Sequence, residues 1–177
     1  MRIAVIGKIC SGKTTLSNSL INEFGKQNII FSKKSFADNV YKIAYDVFNM
    51  KEKDRSLLQS IGTKMREIDP NVWVNLTLQN LKDNVIIDDC RFSNEIQSLK
   101  KSGFILIKLN ISAELQMDRL KKTYKNSWKT HDLSHVSECE INLFDDNIFD
   151  IIINVDNYNS IDDIIDYIMP ILNSTHV

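Results

Sequence analysis

Arg2-Ile3-Ala4-Val5-Ile6 is a short apolar run, and Gly7-Lys8-Ile9-Cys10-Ser11-Gly12-Lys13-Thr14 follows it without a break. The next ten residues, Thr15 to Phe24, place Leu16, Leu20, Ile21 and Phe24 at helical spacing, and Gly25 offers a natural stop. A G-x-x-x-x-G-K-T motif therefore sits between a predicted strand and a predicted helix. That context gives the motif its meaning, because a loop opening onto a helix N-terminus gathers backbone N–H groups and the positive end of the helix dipole around one small volume.

Such a loop binds phosphate. Glycine at Gly7 and Gly12 removes side chains that would block a polyphosphate from the backbone, and Lys8, Cys10, Ser11, Gly12 and Thr15 contribute main-chain donors. Lys13 is placed to reach the β- and γ-phosphates, and the Thr14 hydroxyl to ligate Mg²⁺. The expected ligands are ATP and Mg²⁺.

Working outward, Asn28 to Phe31 reads as a second strand, with strand two placed at about 29–32. Ser35 opens a helix with Val40, Ile43, Ala44, Val47 and Phe48 on one face. Lys51 to Arg55 reads as a charged, exposed link. Leu57 to Ile68 and Asn71 to Leu81 read as helices, and Gly62 inside the first implies close packing or a break. Val85 to Asp88 is a continuous apolar strand ending in acid. A helix capped by Ser93, a strand at 104–109, a helix capped by Ser112, a strand at 150–155 and an amphipathic helix from Ser160 to Leu172 complete the chain. Strands alternating with helices predict an α/β fold: a doubly wound, five-stranded parallel sheet of the P-loop NTPase kind, with ligands beyond the C-terminal strand ends. One domain over 1–177 is expected, with a helical acceptor-binding insert at about 33–82 and a short lid at about 119–133.

Bulk composition narrows the classes. With 177 residues, 43% hydrophobic and 25% charged, the chain resembles an ordinary globular domain. A net charge of −1 gives no basic field for nucleic acid. No secretory signal and no membrane-length apolar run is visible. Cys10, Cys90 and Cys139 are too far apart to suggest a metal cluster and suit a reducing compartment. A cytoplasmic location follows (the host cell's cytoplasm, for a viral protein). Seventeen lysines stand against five arginines, so Arg2, Arg55, Arg66, Arg91 and Arg119 become candidates for sites needing a planar, bidentate donor.

The strand Val85-Ile86-Ile87 delivers Asp88-Asp89-Cys90-Arg91 to the expected phosphate site. A carboxylate suits a hard metal, so Asp88 or Asp89 is a candidate for a metal-bound water, with helix capping as the competing role. Phe36-Ala37-Asp38, Gly62-Thr63 with Arg66, Asp69-Pro70 before Val72-Trp73-Val74, and Asp88-Asp89-Cys90-Arg91-Phe92-Ser93-Asn94-Glu95 occur in that order. Together they resemble the deoxynucleoside monophosphate kinases of phages and large DNA viruses, and a related pattern is that of animal-type phosphomevalonate kinase. The similarity covers about residues 1–110; His135 to Glu138 and Asn154 look like the family's late segments.

The resemblance implies transfer of the γ-phosphoryl of ATP to a deoxynucleoside 5′-monophosphate. It implies acceptor binding at Phe36, Asp38, Lys42, Arg66, Trp73, Asp89 and Arg91, nucleotide binding at Asn154, metal binding at Thr14 and Asp88, and catalytic charge from Lys13, Arg91 and Arg119. Phe36 and Trp73 are candidates for stacking on the acceptor base, and equally for the core. The lid stretch carries Arg119 with Lys121, Lys122, Lys125 and Lys129, where such kinases show more arginine. A GTP switch would need an N/T-K-x-D segment, and none follows 104–109 or 150–155. The nearest competing reading is another small phosphorylated acceptor such as phosphomevalonate. The partner is a small molecule, with neither nucleic acid nor membrane; the oligomeric state stays open, a homodimer among the options.

Overall fold

The computed structural model describes residues 1–79, 81–125 and 144–175. In chain order the elements are β1 (Arg2–Gly7), α1 (Lys13–Lys26), β2 (Ser32–Lys34), α2 (Phe36–Asp46), α3 (Arg55–Ile68), α4 (Val72–Leu78), β3 (Val85–Ile87), α5 (Ser93–Lys101), β4 (Ile105–Asn110), α6 (Ala113–Tyr124), β5 (Ile151–Asn154) and α7 (Ile161–Ser174). All five strands are parallel, in the order β2-β3-β1-β4-β5. β1 is central, Ile3 pairing with Ile86 on one side and Ile105 on the other.

Strand alternation divides the interior into two layers. Ile3, Val5, Ile86 and Ile107 face Leu20, Phe24, Ile168 and Leu172 of α1 and α7. Ala4, Ile6, Ile87 and Leu106 face Trp73, Ile96 and Leu99 on the side of the insert and α5. The same period continues past β3. Asp88 falls on the face of Ile86, toward α1, and Asp89 on the face of Ile87, toward the insert. Parallel strands open their C-terminal ends on one edge, which brings the 7–14 loop beside Asp88.

The expected α/β P-loop architecture holds, with local differences. Strand two begins at Ser32, because Asn28 adopts φ 62° and the Ile29 N–H returns to Phe24 O (2.9 Å), ending α1. Phe31 then stacks on Phe24 at 4.6 Å, worth about 0.5–1.5 kcal/mol beyond burial, and Ile30 faces outward. Gly25 lies within α1; Asn28 supplies the left-handed turn instead. Since α2 ends at Asp46, Val47 and Phe48 lie outside it and are exposed. α4 ends at Leu78, Gln79 being extended. Ser93 is the first residue of α5 rather than its cap, and Glu95 accepts from the Phe92 N–H in its place. The expected insert start at 33 falls inside β2, so its helical part spans 36–78.

Two glycines separate by what surrounds them. A Cβ on Gly7 would lie 2.6 Å from Ser11 Oγ and 2.9 Å from the Leu109 carbonyl, whereas on Gly62 it would meet only Arg66 Nη1, at 3.5 Å. Gly62 is buried in an unbroken helix with room for a Cβ, so neither the expected break nor the expected close packing is found there. Gly7→Ala should lower the melting temperature by at least ~4 °C, and Gly62→Ala, by relieving a helix penalty of about 1 kcal/mol, should raise it by ~2–4 °C. Thermal denaturation of both variants checks the pair.

Candidate active site

One cleft of about 1120 Å³ opens at the C-terminal edge of the sheet. Its floor is the 7–16 loop and helix start, one wall is Asp88 to Arg91, and Arg119 and Lys122 to Tyr124 of α6 form the other. Lys53, Arg55 and Leu58 line it on the insert side; Val155, Tyr158 and Asn159 line it beyond β5.

The floor has the properties expected of an anion site. Gly12 precedes α1 at φ 102°, where a side chain would be strained, and Cys10 is held at φ 61°. Gly12 offers no side-chain cap, and the first turn of α1 has no acid. The side chains of Ser35, Asp54, Ser112 and Ser160 cap α2, α3, α6 and α7. The start of α1 therefore meets the cleft without a side-chain cap from Gly12 and without an acid of its own. Lys13 Nζ donates to the carbonyls of Gly7 (2.7 Å) and Lys8 (2.8 Å), which places its charge at the loop's mouth.

α6 grips the loop's outer carbonyls. Gln116 Nε2 donates to Ile9 O at 3.0 Å, and Arg119 Nη1 donates to Ser11 O at 3.2 Å and Cys10 O at 3.4 Å. α6 is itself anchored where Ser112 donates through its N–H and its hydroxyl to Asp156, bonds that hold the Asp156 carboxyl below its ordinary range. Gln116 was not a sequence candidate; its amide, buried on a helix beside a loop with turned-out carbonyls, is the only signal it leaves.

The two adjacent acids part company. Asp88 is 7% exposed, with Lys33 Nζ 2.7 Å from its Oδ2. The pair is ionic without hydrogen-bond alignment, so Oδ2 accepts no hydrogen bond. With Lys33 as its present counter-charge, the Asp88 carboxylate shares the cleft lining with Thr14 and is the hard-oxygen type of ligand that Mg²⁺ takes. Among the described residues no group of three or more His, Cys, Asp or Glu could hold a metal ion. Asp89 instead accepts from Ser35 Oγ and from the N–H groups of Phe36 and Ala37 (both 3.0 Å), so its oxygens serve the N-terminus of α2.

Several residues expected at the acceptor lie elsewhere. Trp73 is 1% exposed and donates Nε1 to Gly62 O at 3.1 Å, so neither ring face is open to a base. Phe36 is likewise core, and the Asp38 carboxylate closes a capping box on the Ser35 N–H (3.0 Å). Lys42 is exposed on α2, away from the cleft lining. Asn154 also lies outside the lining; its Oδ1 accepts from Asn110 Nδ2 at 3.2 Å, while Val155 next to it does reach the cleft. Arg66 bonds Gly62 O and Glu95 and does not line the cleft. Arg91 does line it. Of the lid, Lys129 and His131 lie outside the described residues, as do His135 to Glu138. Lys53 and Arg55 are exposed, as the link reading expects, and also line the cleft; Arg55 was one of only five arginines, the one signal that marked it.

The fold is that of the P-loop kinases, of the nucleoside monophosphate kinase-like kind. A family model described as an AAA domain matches residues 3–143, and the chain belongs to that family. It is 27% identical over 145 residues to the "Putative deoxynucleotide monophosphate kinase" of Acanthamoeba polyphaga mimivirus, covering 61% of this chain and 72% of that one. Among solved structures, shikimate kinase from Bacteroides thetaiotaomicron superposes with a TM-score of 0.57 at 14% identity, over 98% of both chains. Shikimate kinase from Aquifex aeolicus gives 0.54 at 17% identity, over 100% of this chain and 99% of that one. At such identity these two establish the fold alone. No helix among the described residues is long and apolar enough to cross a membrane.

Cys10 and Cys90 supply a direct probe of the cleft. Cys10 is half-buried on the loop, whereas Cys90 is buried, and burial, reinforced by the charges of Glu95 and Asp89, pushes its thiol well above the ordinary range. Iodoacetamide at pH 8 should modify Cys10 and leave Cys90 untouched, and MgATP should slow the Cys10 reaction at least ~5-fold. Peptide mapping by mass spectrometry reads each site separately; equal labelling of the two would contradict the placement.

Proposed function

We propose that this protein transfers the γ-phosphoryl group of ATP to a deoxynucleoside 5′-monophosphate, giving ADP and the deoxynucleoside diphosphate. The observation that carries the reading is the convergence of Lys13, Arg119 and Arg91 on one cleft, with Lys53 and Arg55 at its insert end and Tyr158 and Asn159 at the other. Such a cleft suits two anionic ligands meeting end to end. The name of the mimivirus relative favours a deoxynucleotide as the second of them.

In this reading the triphosphate lies on the loop and the uncapped start of α1. The charge of Lys13 offsets the β- and γ-phosphates, and Arg119 sits over the loop from α6. Arg91 lies at the end of β3, where charge on the transferring group is greatest. An oxygen of the acceptor phosphate forms the new P–O bond as the bond to the β-phosphate breaks and ADP leaves. That oxygen is already ionised, so no side chain has to remove a proton; positioning and electrostatic stabilisation do most of the catalysis. Thr14 and Asp88 would hold Mg²⁺, which when bound neutralises charge shared between the β- and γ-phosphates. The α2–α4 insert forms the acceptor side. The segment from Arg119 to about 133 is proposed as the lid, whose role is to keep water from the γ-phosphate.

An ADP-release assay across deoxy- and ribonucleoside monophosphates, shikimate and phosphomevalonate tests the reading. At least one deoxynucleoside monophosphate should be the best acceptor, and Lys13→Ala should reduce turnover at least ~100-fold while leaving the thermal transition in place. Preference for phosphomevalonate or shikimate would overturn the acceptor class. Near-normal turnover by folded Lys13→Ala would overturn the site.

A further inference from the structure

The turn from β3 into α5 makes more contacts with the insert than its length requires. Asp89 takes the N-terminus of α2. Asn94 Nδ2 donates to Pro70 O (2.8 Å) and Asn71 Oδ1 (3.0 Å), between α3 and α4. Glu95 reaches α3: its Oε1 accepts from Arg66 Nη2 at 3.4 Å, while its Oε2 accepts from the backbone N–H groups of Arg91 (2.7 Å) and Phe92 (3.0 Å). Three side chains on one turn thus hold three parts of the insert, and Arg91 stands in the middle of that turn.

Arg66 completes the joint by three contacts that only a guanidinium makes together. It donates Nη1 to Gly62 O (3.2 Å), pairs with Glu95, and lies 4.2 Å from the centre of the Phe92 ring. Trp73 Nε1 donates to the same Gly62 carbonyl, which ties the joint into the buried core of the insert. Burial raises the Glu95 carboxyl, while the Arg91 and Phe92 N–H groups and Arg66 act to keep it charged.

We propose that Arg66 and Glu95 are positioning residues: they lock the backbone of Arg91 to α3, so that the insert carrying the acceptor and the arginine at the transferring phosphate move as one body. Arg66 thereby acts through Arg91 and touches neither substrate. The catalytic half of this inference rests on the kinase reading above; the structural half does not.

The test combines kinetics with amide exchange on Arg66→Leu, Arg91→Leu, the double variant and Glu95→Gln. Arg66→Leu should lower kcat at least ~10-fold with the acceptor KM changed less than ~3-fold, and the double variant should match Arg91→Leu within ~2-fold. Exchange at the Arg91 and Phe92 amides should quicken at least ~10-fold in Arg66→Leu. Glu95→Gln, which retains one acceptor oxygen but loses the ion pair, should shift kcat and exchange in the same direction; it carries the test if Arg66→Leu does not fold. A tenfold rise in acceptor KM at unchanged kcat, additive losses in the double variant, or unchanged exchange would each overturn the proposal. If the wild type phosphorylates no monophosphate, the function proposed above fails, and the exchange result alone decides whether Arg66 holds the turn.

Discussion

The alternation of side chains at the end of β3 is the constraint on which the site depends. A strand sends successive residues to opposite faces, so two adjacent carboxylates at its end cannot serve the same place. Asp88 follows Ile86 toward α1 and the phosphate loop, where Lys33 meets it. Asp89 follows Ile87 toward the insert and binds the first N–H groups of α2. One residue step thus joins the phosphate-loop side to the α2–α4 side, and the parallel sheet fixes that step by pairing Ile86 with Ile3 and Ile87 with Ala4 of β1.

The same economy runs through the rest of the cleft. The loop is held from below by β1 and from above by α6, whose Gln116 and Arg119 bond its outward carbonyls. Those bonds leave the start of α1, which no side chain caps, to face the cleft. On the other side the insert is fastened through the β3–α5 turn. The charges that would surround a transferring phosphoryl group therefore come from three separate elements, and each is fixed by contacts outside the cleft. Such preorganisation is what phosphoryl transfer demands, since its barrier falls through positioned charge rather than covalent chemistry.

The order of elements was legible in the sequence because it rests on local rules: apolar runs, helical spacing and the phosphate loop. Ser112 as a helix cap, and Ile164, Ile165, Ile168 and Leu172 as the buried face of α7, follow from such rules. Some misplacements are local, and others involve partners distant in the chain. Asn28 ends α1 in place of Gly25 because Phe31 must fold back onto Phe24. Trp73 and Arg66 look like ligand-binding residues in isolation; only the fold brings Gly62, Phe92 and Glu95 against them. Lys53 and Arg55 are solvated, as their charge suggests, but nothing local shows that the start of α3 also lines the cleft. A family resemblance supplied roles for residues, but its motif positions include those that build the joint as well as those that meet a ligand.

The division of labour between Asp88 and Asp89 is the most direct point of attack. Replacing each by Asn and measuring both the melting temperature and Mg²⁺-dependent turnover separates them. Asp89→Asn should cost about 1–2 kcal/mol through the lost cap, a fall of ~2–8 °C. Asp88→Asn, which also removes the partner of Lys33, should lower turnover ~10–100-fold and raise the Mg²⁺ requirement beyond what its loss of stability explains. The opposite pattern, with Asp89→Asn sparing stability and abolishing the Mg²⁺ response, would contradict the account.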